Sequence, residues 1–457
     1  MATLPSVVLR TIATQLIDDL KDDPLREEAI STLCSLRLTC RELAEMGLIK
    51  AVLFSSINFH GTKNNMLKVE RTDFRAIGPF IRQINFFPSP YFNDLSTRRF
   101  KTMLDVHYAL LREPGLCWCC SIDSFQEYIE GQFVGRYPLS QDEISMRYQA
   151  YKECALDDQH SAIDGSLAKV WATMLQFSRH VDTIKLCPVS KALSQMPYRI
   201  AEIAPGACDC LDNVGFIDSL AGGSGDCLFT AVGDALASTF LPVRTFSIEC
   251  ELKNSLTADW RALHWETPIL EQVETLIIGM VPFDIFGHQG PDREVKADRL
   301  FSKVLKKVHN TVQRIILIRE GRISDFLPLP WDNFNFSCLR YLEAKSFMVD
   351  LSSFIGFIAT CAALDMLSLE KCGMDGPDRE WKDFFDSVRE RPRALQLTLY
   401  ENWPDTDDTW SFDSRLGINA GSRESMFGLV HLQKSLFLYL SGRAGWDTVL
   451  EDHFPQS

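Results

Sequence analysis

Eight short segments share one pattern, apolar-x-x-apolar-x-apolar, and no other feature narrows the possible folds so far. They are Ile81/Ile84/Phe86, Val181/Ile184/Leu186, Val243/Phe246/Ile248, Val273/Leu276/Ile278, Val312/Ile315/Leu317, Leu339/Leu342/Ala344, Leu364/Leu367/Leu369 and Ala394/Leu397/Leu399. The last two apolar positions of each are two apart, the spacing that puts both side chains on one face of a β-strand. From Val273 onward the segments recur every few tens of residues, with helical periodicity between them at 299–308, 351–363 and 379–389. A strand-plus-helix unit at such a period buries its apolar face only by stacking on its neighbours, so the reading is α/β and repetitive.

The clearest unit, Leu364-x-x-Leu367-x-Leu369-x-x-Cys372-x-Met374, fills every slot of a leucine-rich repeat, with Cys372 at the Asn/Cys position. In that unit the inner apolar residues face the core, and the Asn or Cys caps backbone groups where the chain leaves the strand. The last unit keeps the Asn alternative at Asn402, whereas the copies led by Val312 and Leu339 carry Glu320 and Phe347 there. Spacing before Val273 is looser. That half reads as degenerate repeats with insertions, the alternative being a different helical packing. Two insertions stand out, a helical one at about 108–169 with helices expected at 121–130 and 141–156, and a loop-and-helix one at about 188–241 with a helix over 227–240.

Ahead of this array lie two amphipathic stretches. Leu9, Ile12 and Leu16 recur at helical spacing behind Leu4-Pro5, where Thr3 can cap free amides and Pro5 loses nothing by lacking an N–H. Leu33, Leu36, Cys40 and Leu43 form a second stripe, with Arg37, Arg41, Glu42 and Glu45 toward water. Leu4-Pro5 with Leu9 and Ile12, the run Leu36-Arg37-Leu38-Thr39-Cys40-Arg41-Glu42-Leu43-Ala44 and the closing Leu53-Phe54 resemble the F-box of fungal F-box proteins. The linker 18–28 departs from that pattern in being longer and more acidic. Residues 80–92 are similar to the first scaffold strand and turn of fungal F-box/leucine-rich-repeat proteins, and His453-Phe454-Pro455-Gln456-Ser457 is similar to the start of a further repeat. An array stopping partway through a repeat is expected to have an open C-terminal end.

The resemblance implies a domain division into an F-box-like helical module at 1–58 and a degenerate leucine-rich-repeat array at 59–457. It also implies binding of a Skp-type adaptor, and through it a cullin, by Leu4, Pro5, Val8, Leu9, Ile12, Leu36 and Cys40, with the array holding a protein substrate. The chain would then be the substrate-recognition subunit of a cullin-RING ubiquitin ligase. The alternative is a leucine-rich-repeat interaction scaffold unconnected with ubiquitination, whose N-terminal helices merely cap the array.

Charge and composition narrow the field further. A net charge of −14 argues against sequence-independent binding of nucleic acid or anionic lipid, both of which need a basic surface. No apolar run is long enough for a membrane span and none has a secretory pattern, so the expected location is cytoplasmic, nuclear or both. The fourteen cysteines follow no disulfide framework and read as reduced thiols.

Catalytic chemistry finds little footing in the sequence. Cys117-Trp118-Cys119-Cys120 contains a C-x-x-C, but Cys154, Cys208 and Cys210 are poorly spaced to complete a zinc site. In Ala221-Gly222-Gly223-Ser224-Gly225-Asp226 an Asp stands where a phosphate loop needs Lys, and the Gly-x-Ser-x-Gly elbow breaks at its last position. Asp405-Thr406-Asp407-Asp408 lacks the glycine and distal Glu of a calcium loop. No enzyme activity, metal or cofactor is expected. The thirty phenylalanines and nine tryptophans are the stronger signal, since aromatics dominate binding hot spots. Those in expected turns are Tyr91, Phe92, Phe283, Phe286, Trp331, Phe334, Phe336 and Trp403, and of these Tyr91, Phe92, Phe283, Phe286, Trp331 and Trp403 are the candidate substrate contacts.

Overall fold

The computed structural model describes residues 8, 11–15, 17, 26–39, 41–87, 89, 96–97, 100–101, 140–187, 225–251, 268–281, 304–319, 335–370, 372–375, 379–391, 393, 395–400, 411–413 and 426–454. The chain is mixed α/β. Its N-terminal module contains a helical stretch over 11–15 and helices α1 (Arg26–Thr39), α2 (Arg41–Glu45) and α3 (Gly47–Leu53). These close around a small core of their own, Ala13, Ile17, Leu33, Leu43 and Ile49, with Leu36, Met46, Val52 and Leu53 packed against it.

The remainder is built on strands β1 (Ser56–His60), β2 (Gln83–Phe87), β3 (Thr183–Leu186), β4 (Thr245–Glu251), β5 (Thr275–Val281), β6 (Arg314–Arg319), β7 (Tyr341–Lys345), β8 (Met348–Asp350), β9 (Met366–Glu370), β10 (Gly373–Asp375), β11 (Gln396–Tyr400) and β12 (Ser411–Asp413). Ten of them form one sheet in the order β1-β2-β3-β4-β5-β6-β7-β9-β11-β12, so neighbours in the sheet are successive along the chain. Nine strands run parallel; only β12 is antiparallel to its neighbour. Short β8 and β10 pair with each other in parallel beside the sheet.

Parallel neighbours require a crossover on every step, and among the described residues helices supply several of them. They include α4 (Lys63–Arg71), α5 (Phe74–Ile77), α6 (Gln141–Ile163), α7 (Ser166–Leu175), α8 (Gly225–Ala237), α9 (Leu351–Thr360) and α10 (Arg379–Arg389), followed after the last strand by α11 (Met426–Leu440) and α12 (Thr448–His453). Several carry the capping residues that physics asks of a helix start. Ser140 and Glu143 form a reciprocal capping box on α6, and Asp350 accepts the Ser353 N–H of α9.

All eight expected strand segments lie in the sheet, and their described apolar positions are buried in one core, Ala394 lying outside the described residues. Strand register aligns them. Ile57, Ile84, Ile184, Phe246, Leu276, Ile315, Leu342, Leu367 and Leu397 make one row, and Phe59, Phe86, Leu186, Ile248, Ile278, Leu317, Ala344, Leu369 and Leu399 the next. Trp171 of α7, Ala235 of α8 and Phe354 of α9 belong to the same core. Strand β1 was not among the expected segments. Phe54-x-x-Ile57-x-Phe59 nevertheless fits the pattern, overlapping the residues read as the end of the helical module.

Just before the strands a second regularity sets the register. The backbone N–H of Asp182, Arg244, Glu274, Gln313, Arg340 and Asp365 each donates to the carbonyl of its counterpart one strand earlier, beginning at Arg82. Charges alternate along that line, Arg82, Asp182, Arg244, Glu274, then Arg340 and Asp365 beyond neutral Gln313, so like charges never adjoin. Arg244 and Glu274 approach to 4.0 Å; exposed as they are, they contribute little individually.

Backbone ends are satisfied by two devices. The Cys372 thiol lies 3.3 Å from the Ala344 carbonyl and 3.4 Å from that of Glu370, which is the cap expected at this repeat position. Arg391 reaches back to the C-terminus of α9, donating to the carbonyls of Ile358 and Cys361 at 2.6 Å each and of Leu364 at 3.1 Å. Carbonyls left over at a helix end thereby gain charged donors.

The expectation of an open C-terminal end is not met. Phe454, read as the start of a further repeat, is buried with ring centroids 5.1 Å from Trp381 and 5.3 Å from Phe385, and Trp446 and Tyr439 complete the cluster. The Tyr439 hydroxyl donates to Asp386. Large aromatic rings bury enough area to cover the helices of the last layer, beside the β12 strand that closes the sheet edge.

On the N-terminal side Asp158 fastens α6 to the start of α4 and to Ser89 beyond β2. Its carboxylate accepts the Lys63 N–H at 2.8 Å and the Ser89 hydroxyl at 2.7 Å, while Lys63 Nζ pairs with neighbouring Asp157 at 2.8 Å. Burial pushes the Asp158 carboxyl up to about 6, outweighing the two hydrogen bonds that favour its charge.

Two outcomes check this packing. A Cβ on Gly78 would overlap the Phe177 carbonyl oxygen and come within 2.8 Å of its carbon, whereas one on Gly47 meets only the Phe80 ring at 3.9 Å. Denaturant unfolding should therefore show Gly78→Ala destabilised by about 2–3 kcal/mol and Gly47→Ala nearly unchanged. Because the folded-state value of Asp158 is raised, its contribution to stability is fully present below pH ~4 and fades as pH rises through about 6. Asp158→Asn removes that dependence, so its stability relative to wild type should rise between pH 4 and 7 by on the order of 2 kcal/mol in unfolding measurements.

Candidate interaction surfaces

Two surfaces are chemically equipped to meet another protein. The first is on the helical module. Ala13 and Ile17, four apart, face its small core, and the other side of the same helical turn carries Val8 and Ile12, which are 39% and 41% exposed. Ile30, Leu38 and Leu48 are also exposed, Leu38 at 84%, while Leu36 is half-buried against the module core. Of the other residues expected to bind an adaptor, Leu4, Pro5, Leu9 and Cys40 lie outside the described residues. Each exposed aliphatic side chain stands to gain about 1 kcal/mol when a partner covers it. The Arg37 guanidinium lies 5.0 Å from the centroid of the Phe54 ring, tying α1 to the chain entering β1.

The second surface is the sheet face turned away from the core rows. Its side chains are the x positions of the sequence pattern. They form the row Ser56, Gln83, Thr183, Thr245, Thr275, Arg314, Tyr341, Met366 and Gln396, and a second row Asn58, Asn85, Lys185, Ser247, Ile277, Ile316, Glu343, Ser368 and Thr398. Across β1 and β2 the amides bond to one another. Gln83 donates to Asn85 at 2.8 Å, and Asn85 donates to Asn58 at 2.7 Å and to Ser56 at 3.2 Å. Ile277, Ile316 and Ile318 make the middle of the face half-buried and apolar.

Beyond them the charges are matched internally. Arg314 lies 4.2 Å from the centroid of the Tyr341 ring, the Tyr341 hydroxyl donates to Glu343 at 2.6 Å, and Lys345 pairs with Glu370 at 2.6 Å. Burial, then the Glu343 carboxylate, raises the Tyr341 hydroxyl above its ordinary value. At the β1 end His60 stacks on Phe87 at 5.0 Å, and burial lowers its imidazole to about 4, which keeps it neutral near pH 7.

Sequence reasoning placed the partner face on turn aromatics; Tyr91, Phe92, Phe283, Phe286, Trp331, Phe334 and Trp403 lie outside the described residues, and Phe336 is buried in the core against Phe357 rather than offered to a partner. The signal it passed over was apolar residues in x positions. Only β5 and β6 show it in the middle of the sheet, with Ile277, Ile316 and Ile318.

Among the described residues no group of three or more His, Cys, Asp or Glu could hold a metal ion, and no helix is long and apolar enough to cross a membrane. Cys154 is a half-buried free thiol, while Cys117, Cys120, Cys208, Cys210 and Ser224 lie outside the described residues. No protein-family model matches the chain, and no curated protein does either.

Proposed function

We propose that the chain is a substrate receptor of a cullin-RING ubiquitin ligase, whose helical module docks on a Skp-type adaptor and whose strand–helix units form a leucine-rich-repeat array that holds the protein to be modified. The observation that carries this reading is the outward placement of Val8 and Ile12 on a module with a core of its own. A cap that merely sealed the end of the array would turn those side chains inward, whereas a docking module leaves them for a partner. Strand order that follows chain order, the in-register apolar rows and the Cys372 cap support the repeat reading.

In this role the chain makes and breaks no covalent bond. It binds the adaptor at one end and the target along the array, and so raises the effective concentration of the target's lysines beside the ligase's charged partner enzyme. Each half needs rigidity more than chemistry, because a loosely held target spends little time in reach.

Capture of purified Skp adaptor on the immobilised chain tests the reading. Wild type should retain the adaptor, and the Val8→Asp/Ile12→Asp double variant should lose at least about tenfold in affinity, since two apolar contacts of about 1 kcal/mol each are exchanged for buried charges. Both positions are exposed, so the variant should unfold at the wild-type denaturant midpoint. Absence of adaptor binding by wild type contradicts the proposal.

A further inference from the structure

On the sheet's outer face, β1 to β5 are lined in the first two rows by hydroxyl and amide side chains, with Ile277 at the far end and a single formal charge, Lys185. For a chain of net charge −14 this is an unusual composition. Lys185 is half-buried, and among the described residues it has no ion pair, unlike Lys345 across the face, which Glu370 neutralises. In register it stands between Asn85 and Ser247. Asn85 is occupied by its bonds to Gln83, Asn58 and Ser56. Ser247 is 1% exposed, and its hydroxyl has no hydrogen-bond partner among the described residues.

A sealed hydroxyl without a partner and a half-buried ammonium without a counter-ion both cost free energy, and one incoming anion relieves both. Glu249 stands on the next row of β4, its side chain outside the description. Immediately past Ser247 on the same row come Ile277 and Ile316, with Gly279 and Ile318 on the row beyond, so the apolar floor begins one strand from the donor site. Arg314, Glu343 and Glu370, which border that floor on the far side, already have partners and leave no net charge to be met there.

We propose that the outer face binds an extended segment of a partner protein that sets an acidic side chain, carboxylate or phosphate, at Lys185 and Ser247 and a large apolar side chain on Ile277 and Ile316. Two to three strand spacings separate these points, roughly 10–15 Å. An extended peptide places side chains four residues apart on one side at about 13 Å, which matches. The proposal deepens the receptor reading by naming the chemistry of the segment recognised, and peptide binding to this face does not itself depend on the adaptor.

Fluorescence anisotropy of the full chain with labelled twelve-residue peptide libraries provides the test. Each library has a fixed leucine and, four residues away, a fixed glutamate, phosphoserine or lysine. Binding of the glutamate or phosphoserine library about tenfold tighter than the lysine library is expected. Equal binding of the two acidic libraries assigns the site to carboxylates, and binding of the phosphoserine library alone assigns it to phosphate. Lys185→Met should abolish the preference for acid, Lys185→Glu should reverse it, and Ile316→Thr, which keeps a β-branched side chain, should weaken every library, with the unfolding midpoints of the three variants near that of wild type. No binding by any library, equal binding of acidic and lysine libraries, or an unchanged preference in Lys185→Glu overturns the proposal. Because no adaptor is present, failure here leaves adaptor capture unaffected, and failure of adaptor capture leaves the peptide preference measurable.

Discussion

Everything in this chain depends on the lateral stacking of two apolar rows, from Ile57 to Leu397 and from Phe59 to Leu399, carried by nine parallel strands in chain order. A five-residue strand with two inward side chains cannot hold itself flat in water. Its backbone N–H and C=O groups need a neighbour, and its apolar pair needs a helix above it and equivalents on either side. Each unit supplies these to the next. The ends of such a stack carry the highest cost, and the C-terminal one is finished by antiparallel β12 and the aromatic cluster of Trp381, Phe385, Trp446 and Phe454.

That dependence explains what the sequence revealed. A residue such as Leu367 or Ile184 has no freedom, because any polar side chain there would be sealed in the core, so the pattern is written plainly at these positions. β1 was harder to see. Its apolar positions, Phe54, Ile57 and Phe59, directly follow helical residues and were absorbed into the preceding module. The closing of the C-terminal end was equally hidden, since Phe454 packing on Trp381 is an aromatic contact between residues far apart in sequence, and no local period encodes it. Asp158 belongs to the same class. Nothing in its surroundings along α6 announces that it would bind the first turn of α4 and Ser89 beyond β2.

The two faces of the sheet divide the work of the molecule. Apolar rows on one side supply stability and leave little room for variation, whereas the other face is free to carry Lys185, Ser247, Ile277 and Ile316 in combinations that stability does not dictate. On such a face recognition can change without loss of the stack. The helical module repeats the division on a smaller scale, with Ala13 and Ile17 inward and Val8 and Ile12 outward. Its small separate core means that its exposed side can be altered without disturbing the rows behind it.

The claim that one end of the chain docks while the array stays free for a target is tested most directly by hydrogen exchange, read by mass spectrometry, with and without the Skp adaptor. Slowed exchange confined to residues 8–17 and 30–48, with the strands β2 to β11 unchanged, is the result this account requires. Protection spread along the array, or none anywhere at saturating adaptor, would contradict it.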